Sequence, residues 1–510
     1  MSKSKELETS ILVTGASGFI GQYFLERIKN HFKVFALARR LPQNSSIVDH
    51  PNITWIQADI SSDKAVRKAA KIINDNGGIK FILHLAGYYD FNYDKNPEYY
   101  RTNVLGTRNV LEMAKNLNIE RFMFASSIAA CEFPLKGEKI NEKTPPDANF
   151  EYAVTKKAGE ELSKEYSKYF KTSILRFAAA FSDWGEYGPL YIFLKTWLSK
   201  SWKSTILGGK GEAAITYIHV NCLIDLILKI IRNSDELLQH DTYVVSPNRP
   251  VSHNELLATA TRYFFGKPKK PFHMPKTISY VGVVVMNILG RLIGKAPFEK
   301  PWMMQYIDKE LNVDNTYTRE TLKWEPSQRY KIQRRLLYMI EHMKSYPYEW
   351  QKRNLKMSKY LSLSPNYKIY EKLENLRDSV IEQILEELLK EENRPNCPGY
   401  HSIDISALRK DTITIYQFLS VSVRTRDRVS PLAYARQIAF VRSDQNFKPD
   451  EVLFAIKVIG EIVTNNLLRQ PELKGMGQAI HDDITLTIQL MADEIESTFE
   501  LIARENQPII

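Results

Sequence analysis

Up to about residue 180, short apolar runs alternate with longer segments in which apolar positions recur every three or four residues. The runs open at Ile11 and continue at 34–38 (VFALA), 52–60 (NITWIQADI), 81–85, 121–127 (RFMFASS) and 173–177. Their near-continuous hydrophobicity suits strands buried on both faces, and the periodic segments 19–29, 63–74 and 103–116 suit the helices between them. That alternation predicts an α/β architecture with a doubly wound parallel sheet. A smaller, aromatic-rich lobe follows over about 180–330, and residues 346–366 lack a regular apolar period and read as a linker. Beyond them the period is helical throughout: Leu373, Leu376, Val380, Ile381, Ile384, Leu385 and Leu388; then Val452, Ile456, Ile459, Val463 and Leu467; then Ile484, Ile488, Met491, Ile495 and Phe499. The expected organisation is an α/β domain with its lobe over 1–345 and a separate all-α domain over 367–510.

Composition adjusts this picture in a few places. The 510 residues are 44% hydrophobic and 25% charged, as in a globular protein. The net charge of +11 comes from 70 basic residues spread among 59 acidic ones, which describes a solvated surface rather than a nucleic-acid footprint. Cys131, Cys222 and Cys397 are distant from one another and odd in number, which argues against a disulfide framework or a metal site and fits a reducing compartment. The first residues, MSKSKELETS, lack the apolar core of a signal peptide, so a cytoplasmic location is expected. The longest apolar stretch, 278–293 (ISYVGVVVMNILGRLI), is shorter than the roughly 20 residues that span a bilayer. It reads as a buried helix of the lobe, a lid, or a peripheral membrane contact.

Candidate chemistry collects just beyond the strand ends. After the first run come Gly15, Ser17, Gly18, Phe19, Ile20 and Gly21, a G-x-x-G-x-x-G turn running into a helix. Such a turn lets backbone approach a pyrophosphate, whose charge the helix N-terminus then holds. The second strand ends in Arg39-Arg40, with no acidic residue where one would bind a ribose 2′-hydroxyl; arginine there suits a 2′-phosphate, so NADP is expected over NAD. Asp59, Gly87 and Ser127 occupy the next strand ends. Tyr152 and Lys156 lie four apart in EYAVTKKAGEEL and so share a helix face, where an ammonium favours the phenolate of a proton-exchanging tyrosine. The same spacing recurs at Tyr191/Lys195, Tyr263/Lys267 and Tyr348/Lys352, but only the Tyr152 copy follows a Ser-Ser strand end.

Taken in order, Gly15–Gly21, Asp59, Ala86-Gly87, Asn103 in NVLGTRNVLEMAK, Ser127, Tyr152, Lys156 and ILRFAAAFS resemble the extended short-chain dehydrogenase/reductase family, the NAD-dependent epimerase/dehydratase group, over residues 8–345. The resemblance implies a Rossmann sheet whose first 180 or so residues bind a nicotinamide dinucleotide, with Asp59 and Ile60 by the adenine. It implies Tyr152 as general acid/base, Lys156 orienting the ribose and lowering the tyrosine pKa, and Ser127 on the substrate oxygen. Phe177 and Phe181-Ser182 depart from the family's usual Pro and Tyr-Gly, which bears on substrate class. Phe181, Trp184, Tyr187, Tyr191, Phe193, Trp197 and Trp202 suggest an apolar pocket, hence hydride transfer to or from an apolar ketone or alcohol, as in dihydroflavonol-reductase-like or 3β-hydroxysteroid-dehydrogenase-like members. The alternatives are a nucleotide-sugar epimerase or dehydratase, and a sensor that binds NADPH without turnover. The helical third faintly resembles bacterial stress-sensor domains and is expected to serve regulation, homodimerisation or a protein partner.

Overall fold

A computed structural model describes residues 9–39, 48–90, 95–292, 298–354, 365–425 and 427–505. These divide into two compact units: the described residues up to Tyr346 with Lys352–Asn354, and Pro347–Gln351 with those from Pro365 onward.

The first unit is built on one sheet. Its strands are β1 (Ser10–Thr14), β2 (Lys33–Ala38), β3 (Ile53–Gln57), β4 (Phe81–His84), β5 (Arg121–Ser127), β6 (Lys171–Phe177) and β7 (His240–Val245). All pair in parallel, in the order β7-β6-β5-β4-β1-β2-β3. Helices α1 (Phe19–Ile28), α2 (Asp63–Asp75), α3 (Gly106–Asn116) and α4 (Glu151–Tyr166) make the crossovers. One layer of core, including Phe24, Met123 and Leu223, covers one face; a second, including Phe35, Phe122 and Phe124, covers the other. Burial on both sides is why the strand sequences are continuous rather than alternating. The Rossmann-type doubly wound sheet is therefore as expected, with three local differences. β7 (HDTYVV) opens with three half-buried polar residues, and only its second half, Tyr243–Val245, is apolar and buried. The segment expected as a helix from 103 opens as a π-helical turn, Tyr99–Leu105, before α3. Pro347–Arg353, placed in the expected linker, is helical.

The second unit has a core of its own. Helices Pro365–Leu388, Ile405–Thr425, Val429–Asp444, Pro449–Leu468 and Leu486–Glu505 turn their apolar stripes onto it, burying Leu373, Ile384, Val452, Ile459, Met491 and Ile495. Gly460 lets the helix Pro449–Leu468 come close to Ile488, since a Cβ there would lie 2.8 Å from the Ile488 side chain. Among the described residues no helix is long and apolar enough to cross a membrane.

Candidate functional site

Strand order reverses between β1 and β4, which opens a crevice beyond their carboxyl ends. Gly15 sits there with φ +67°, and a Cβ on it would come within 2.7 Å of the Ala86 backbone nitrogen. Gly18 closes the turn by donating its N–H to the Gly15 carbonyl at 2.9 Å. A Cβ on Gly21 would stand 2.6 Å from that same carbonyl, so α1 packs against the turn only because Gly21 has no side chain. No side chain caps α1 at Gly18, which leaves its first N–H groups, around Phe19 and Ile20, facing the turn that Ser17 completes. This cradle fits a pyrophosphate.

A buried chain of hydrogen bonds, which sequence reasoning missed, holds the crevice walls together. Thr14 Oγ1 accepts from Ala86 N at 3.2 Å and meets His84 Nδ1 at 2.8 Å. His84 Nε2 meets Thr107 Oγ1 at 3.0 Å, and Thr107 donates onward to the Asn103 carbonyl at 2.7 Å. Thr107 thus spends its proton on Asn103, so His84 carries its hydrogen on Nε2 and accepts from Thr14. Burial, with Lys156 adding a smaller push, holds the His84 pKa down at about 3. The ring is a neutral strut.

Beyond the carboxyl ends of β2 and β3 stand Arg39 and Asp59. Arg39 is half-exposed beyond β2 and lies 3.5 Å from Glu98. Glu98 also takes Arg101, whose other nitrogen reaches Asp59 at 2.9 Å. Burial alone would raise the Asp59 pKa, but the Ser61 N–H and hydroxyl together with Arg101 outweigh it and hold the carboxyl below its usual range. The two cations and two carboxylates balance. Ile60 turns its side chain inward, onto the place where a Gly106 Cβ would be, at 2.7 Å. Arg40 lies outside the described residues.

Tyr152 sits in the first turn of α4, with Lys156 one turn later and buried. Gly159 brings that helix onto β5, because a Cβ there would overlap the Phe124 ring. Lys156 Nζ donates to the Ala125 carbonyl at 2.6 Å and lies 5.6 Å from the Tyr152 ring centroid. Burial draws the lysine pKa down to about 8, against a partial lift from Glu160. Gly87 opens the space beside it: a Cβ there would stand 3.6 Å from Nζ and 3.4 Å from Asn103 Oδ1. Asn103 itself is committed to the chain. Its Oδ1 accepts from Tyr88 N at 2.6 Å, and its Nδ2 donates to Tyr88 O and to Thr155 Oγ1, each at 3.0 Å. Ser127 ends β5, half-buried, and its hydroxyl accepts from Ala129 N at 3.1 Å.

Tyr89 meets the Tyr152 ring edge-on at 4.7 Å, Phe150 stacks beside it at 6.4 Å, and Trp302 stacks on Phe150 at 6.1 Å. Trp302 carries no motif that marks it. Behind the site, Glu160 makes a buried two-point ion pair with Arg176 and accepts from Ser126 at 2.5 Å. Glu160 does carry a signal, since it follows Lys156 by four on one helix face.

The aromatic lobe is not the apolar pocket that its composition suggested. Phe181, Tyr191 and Trp197 are buried as lobe core. Trp184 stacks on His342 at 4.0 Å, Phe193 stacks on Trp197, and Trp202 faces solvent.

The doubly wound parallel sheet and the family match over residues 11–246 support an extended short-chain dehydrogenase/reductase-type, NAD(P)-dependent enzyme unit. Residues 11–246 match the model of the NAD dependent epimerase/dehydratase family, and this part of the chain belongs to that family. A putative UDP-glucose 4-epimerase of Methanocaldococcus jannaschii is 28% identical over 255 residues, taking in 48% of this chain and 79% of that protein. UDP-glucuronate 4-epimerase 4 of Arabidopsis thaliana is 29% identical over 230 residues, 41% of this chain, and here the chain spans only 51% of the relative's length. The solved UDP-glucose 4-epimerase of Thermus thermophilus in complex with NAD aligns with a TM-score of 0.51 at 19% identity, over 66% of this chain and 100% of that one, and shares the fold.

Proposed function

We propose that the amino-terminal unit is an epimerase or dehydratase that acts on a sugar carried by a nucleoside diphosphate. The carrying observation is Lys156, buried with its nitrogen beside the Gly87 opening and next to Tyr152. The relatives supply the substrate class. Gly15, Gly18, Gly21 and the start of α1 would hold a nicotinamide dinucleotide, and the chemistry that group would supply is reversible hydride exchange with a sugar carbon. Tyr152 removes the proton of the hydroxyl on that carbon as the carbonyl forms, and returns it as the hydroxyl is restored. The Lys156 ammonium stabilises the phenolate form in which Tyr152 stands before it takes that proton and to which it returns after giving it back. Ser127 donates to the substrate oxygen once its hydroxyl turns from the Ala129 cap. Asn103 and His84 keep the crevice walls in register and make no contact with the reacting atoms. The rings of Tyr89, Phe150 and Trp302 offer apolar faces for a pyranose and exclude water.

The cofactor on this reading is NAD. Among the described residues Arg39 faces Glu98 at 3.5 Å, and the two cations Arg39 and Arg101 are matched there by Glu98 and Asp59. NADP is the second reading, because no carboxylate of β2 itself stands at the strand end. The helical unit is proposed as a regulatory or dimerising module, motivated by its separate core.

Incubating the purified chain with UDP-glucose and UDP-glucuronate, with NAD added, tests the reading. Interconversion of 4-epimers or loss of water, without net accumulation of reduced cofactor, is expected. No reaction with any nucleoside diphosphate sugar, beside oxidation of NADPH by apolar ketones, would reject it in favour of a reductase.

A further inference from the structure

A surface helix normally turns its apolar stripe inward. The helix Lys276–Leu292 does the reverse. Its buried stripe is Ser279, Val283, Asn287 and Gly290. Ser279 Oγ donates to the Met274 carbonyl at 3.1 Å, and Asn287 Nδ2 donates to the carbonyls of Val283 at 2.9 Å and Glu299 at 2.7 Å. The outward stripe is large and apolar: Ile278 is 56% exposed, Val281 59% and Ile288 56%, with Tyr280, Val285 and Leu289 beside them. The strand Phe272–Met274 leads into this helix and pairs with Ile206–Gly208, a few residues after Trp202; Phe272 and Trp202 are both exposed.

The two chain segments that carry that face are basic, although Glu299 and Asp308 adjoin them from the segment that follows. Residues 256–292 contain no Asp or Glu but carry Arg262, Lys267, Lys269, Lys270, Lys276 and Arg291. Residues 187–211 likewise lack acid and carry Lys195, Lys200, Lys203 and Lys210. Of these, Lys200, Lys203, Lys267, Lys270 and Lys276 are exposed.

We propose that this lobe docks on a lipid bilayer rich in anionic phospholipid, with the helix Lys276–Leu292 lying in the interface. Apolar side chains enter the acyl boundary while the flanking lysines meet the headgroup phosphates. A second copy of the chain is the poorer occupant, since two faces that carry these exposed lysines repel. The helix packs on the turn Pro301–Tyr306, whose Trp302 stacks on Phe150 beside Tyr152. The docked lobe is thus the one that borders the candidate site, and docking holds whatever the substrate is.

Flotation of the full-length chain with phosphatidylcholine vesicles, and with vesicles of equal parts phosphatidylcholine and phosphatidylglycerol, tests this. The chain is expected to float with the anionic vesicles at physiological salt and to be released by high salt. Val281→Glu combined with Ile288→Glu should cut the bound fraction roughly tenfold with helix content and dinucleotide binding unchanged. Lys270→Glu combined with Lys276→Glu should also weaken it, and this pair decides the matter if the first variant does not fold. No flotation of the parent chain, variants that float as well as the parent, or a lipid-free dimer abolished by the same substitutions would each overturn the proposal.

Discussion

Lys156 Nζ donates to the Ala125 carbonyl at 2.6 Å, two residues before Ser127 on the same strand. One bond therefore ties α4, which carries Tyr152, to the strand that ends in the candidate oxygen-binding serine. The ammonium is kept away from water, close to the Tyr152 ring, and beside the opening left by Gly87.

Removing only the hydroxyl of Tyr152 separates proton transfer from binding. Tyr152→Phe should lower kcat by about 10²–10⁴-fold while dinucleotide affinity holds, measured by steady-state kinetics and fluorescence titration. Equal losses in both would place Tyr152 in binding rather than chemistry.

Lys156 predicts a pH limit. Burial brings it from 10.5 to about 8, so above pH 8 it loses the charge that supports the phenolate. Activity should therefore fall as pH rises through about 8, and Lys156→Arg should move that limb upward where the longer side chain is accommodated. Stability runs the other way. Between about 8 and 10.5 the unfolded lysine holds a proton that the folded one has released, so folding gains as pH rises through this window. Chemical denaturation of the parent and of Lys156→Met across it should show a more positive slope in the parent than in the variant.

Two glycines should respond differently to one added methyl. Gly15→Ala puts a Cβ 2.7 Å from the Ala86 backbone at a positive φ, and a loss of about 1–3 kcal/mol in stability is expected, with loss of cofactor binding. At Gly87 the nearest atoms are 3.4 and 3.6 Å away, so the fold should tolerate Ala. The methyl would still occupy the space beside Lys156 and weaken dinucleotide binding at unchanged melting temperature.

Glu98 is predicted to set cofactor preference. Glu98→Gln releases Arg39, whose pairing is exposed and contributes little to stability. The ratio of NADP to NAD affinity should rise, read by parallel titrations; an unchanged ratio would remove Arg39 from cofactor discrimination.

Glu160→Gln would leave Arg176 buried without its counter-charge. A loss of about 3–5 kcal/mol in urea denaturation is expected. The Lys156 pKa should fall further, because Glu160 is the charge that lifts it.

The strands at 34–38, 81–85, 121–127 and 173–177 were legible because a strand covered on both faces has to be apolar along its length. Tyr152 and Lys156 were legible because four residues apart on a helix is a geometric statement made by the sequence itself. β7 was not, since its first half is only partly covered and keeps polar residues. Trp302 reaches Phe150 from about 150 positions away, and His84 finds Thr14 and Thr107 from 70 and 23 away. Such pairings have no local period.

Sequence by itself determined the local geometry: the glycine turn, the strand-helix alternation, the helix face shared by Tyr152 and Lys156, and the helical character of the last third. These follow from backbone freedom and periodicity, which act within a few residues. Tertiary structure decided which surfaces are covered. It buried Phe181, Tyr191 and Trp197 as lobe core instead of exposing them to substrate. It paired Arg39 with Glu98, and it left the apolar side of Lys276–Leu292 facing out. An apolar side chain has the same pattern in a core, a pocket or an outer face, because hydrophobic burial is non-directional and only the packed chain says what lies opposite.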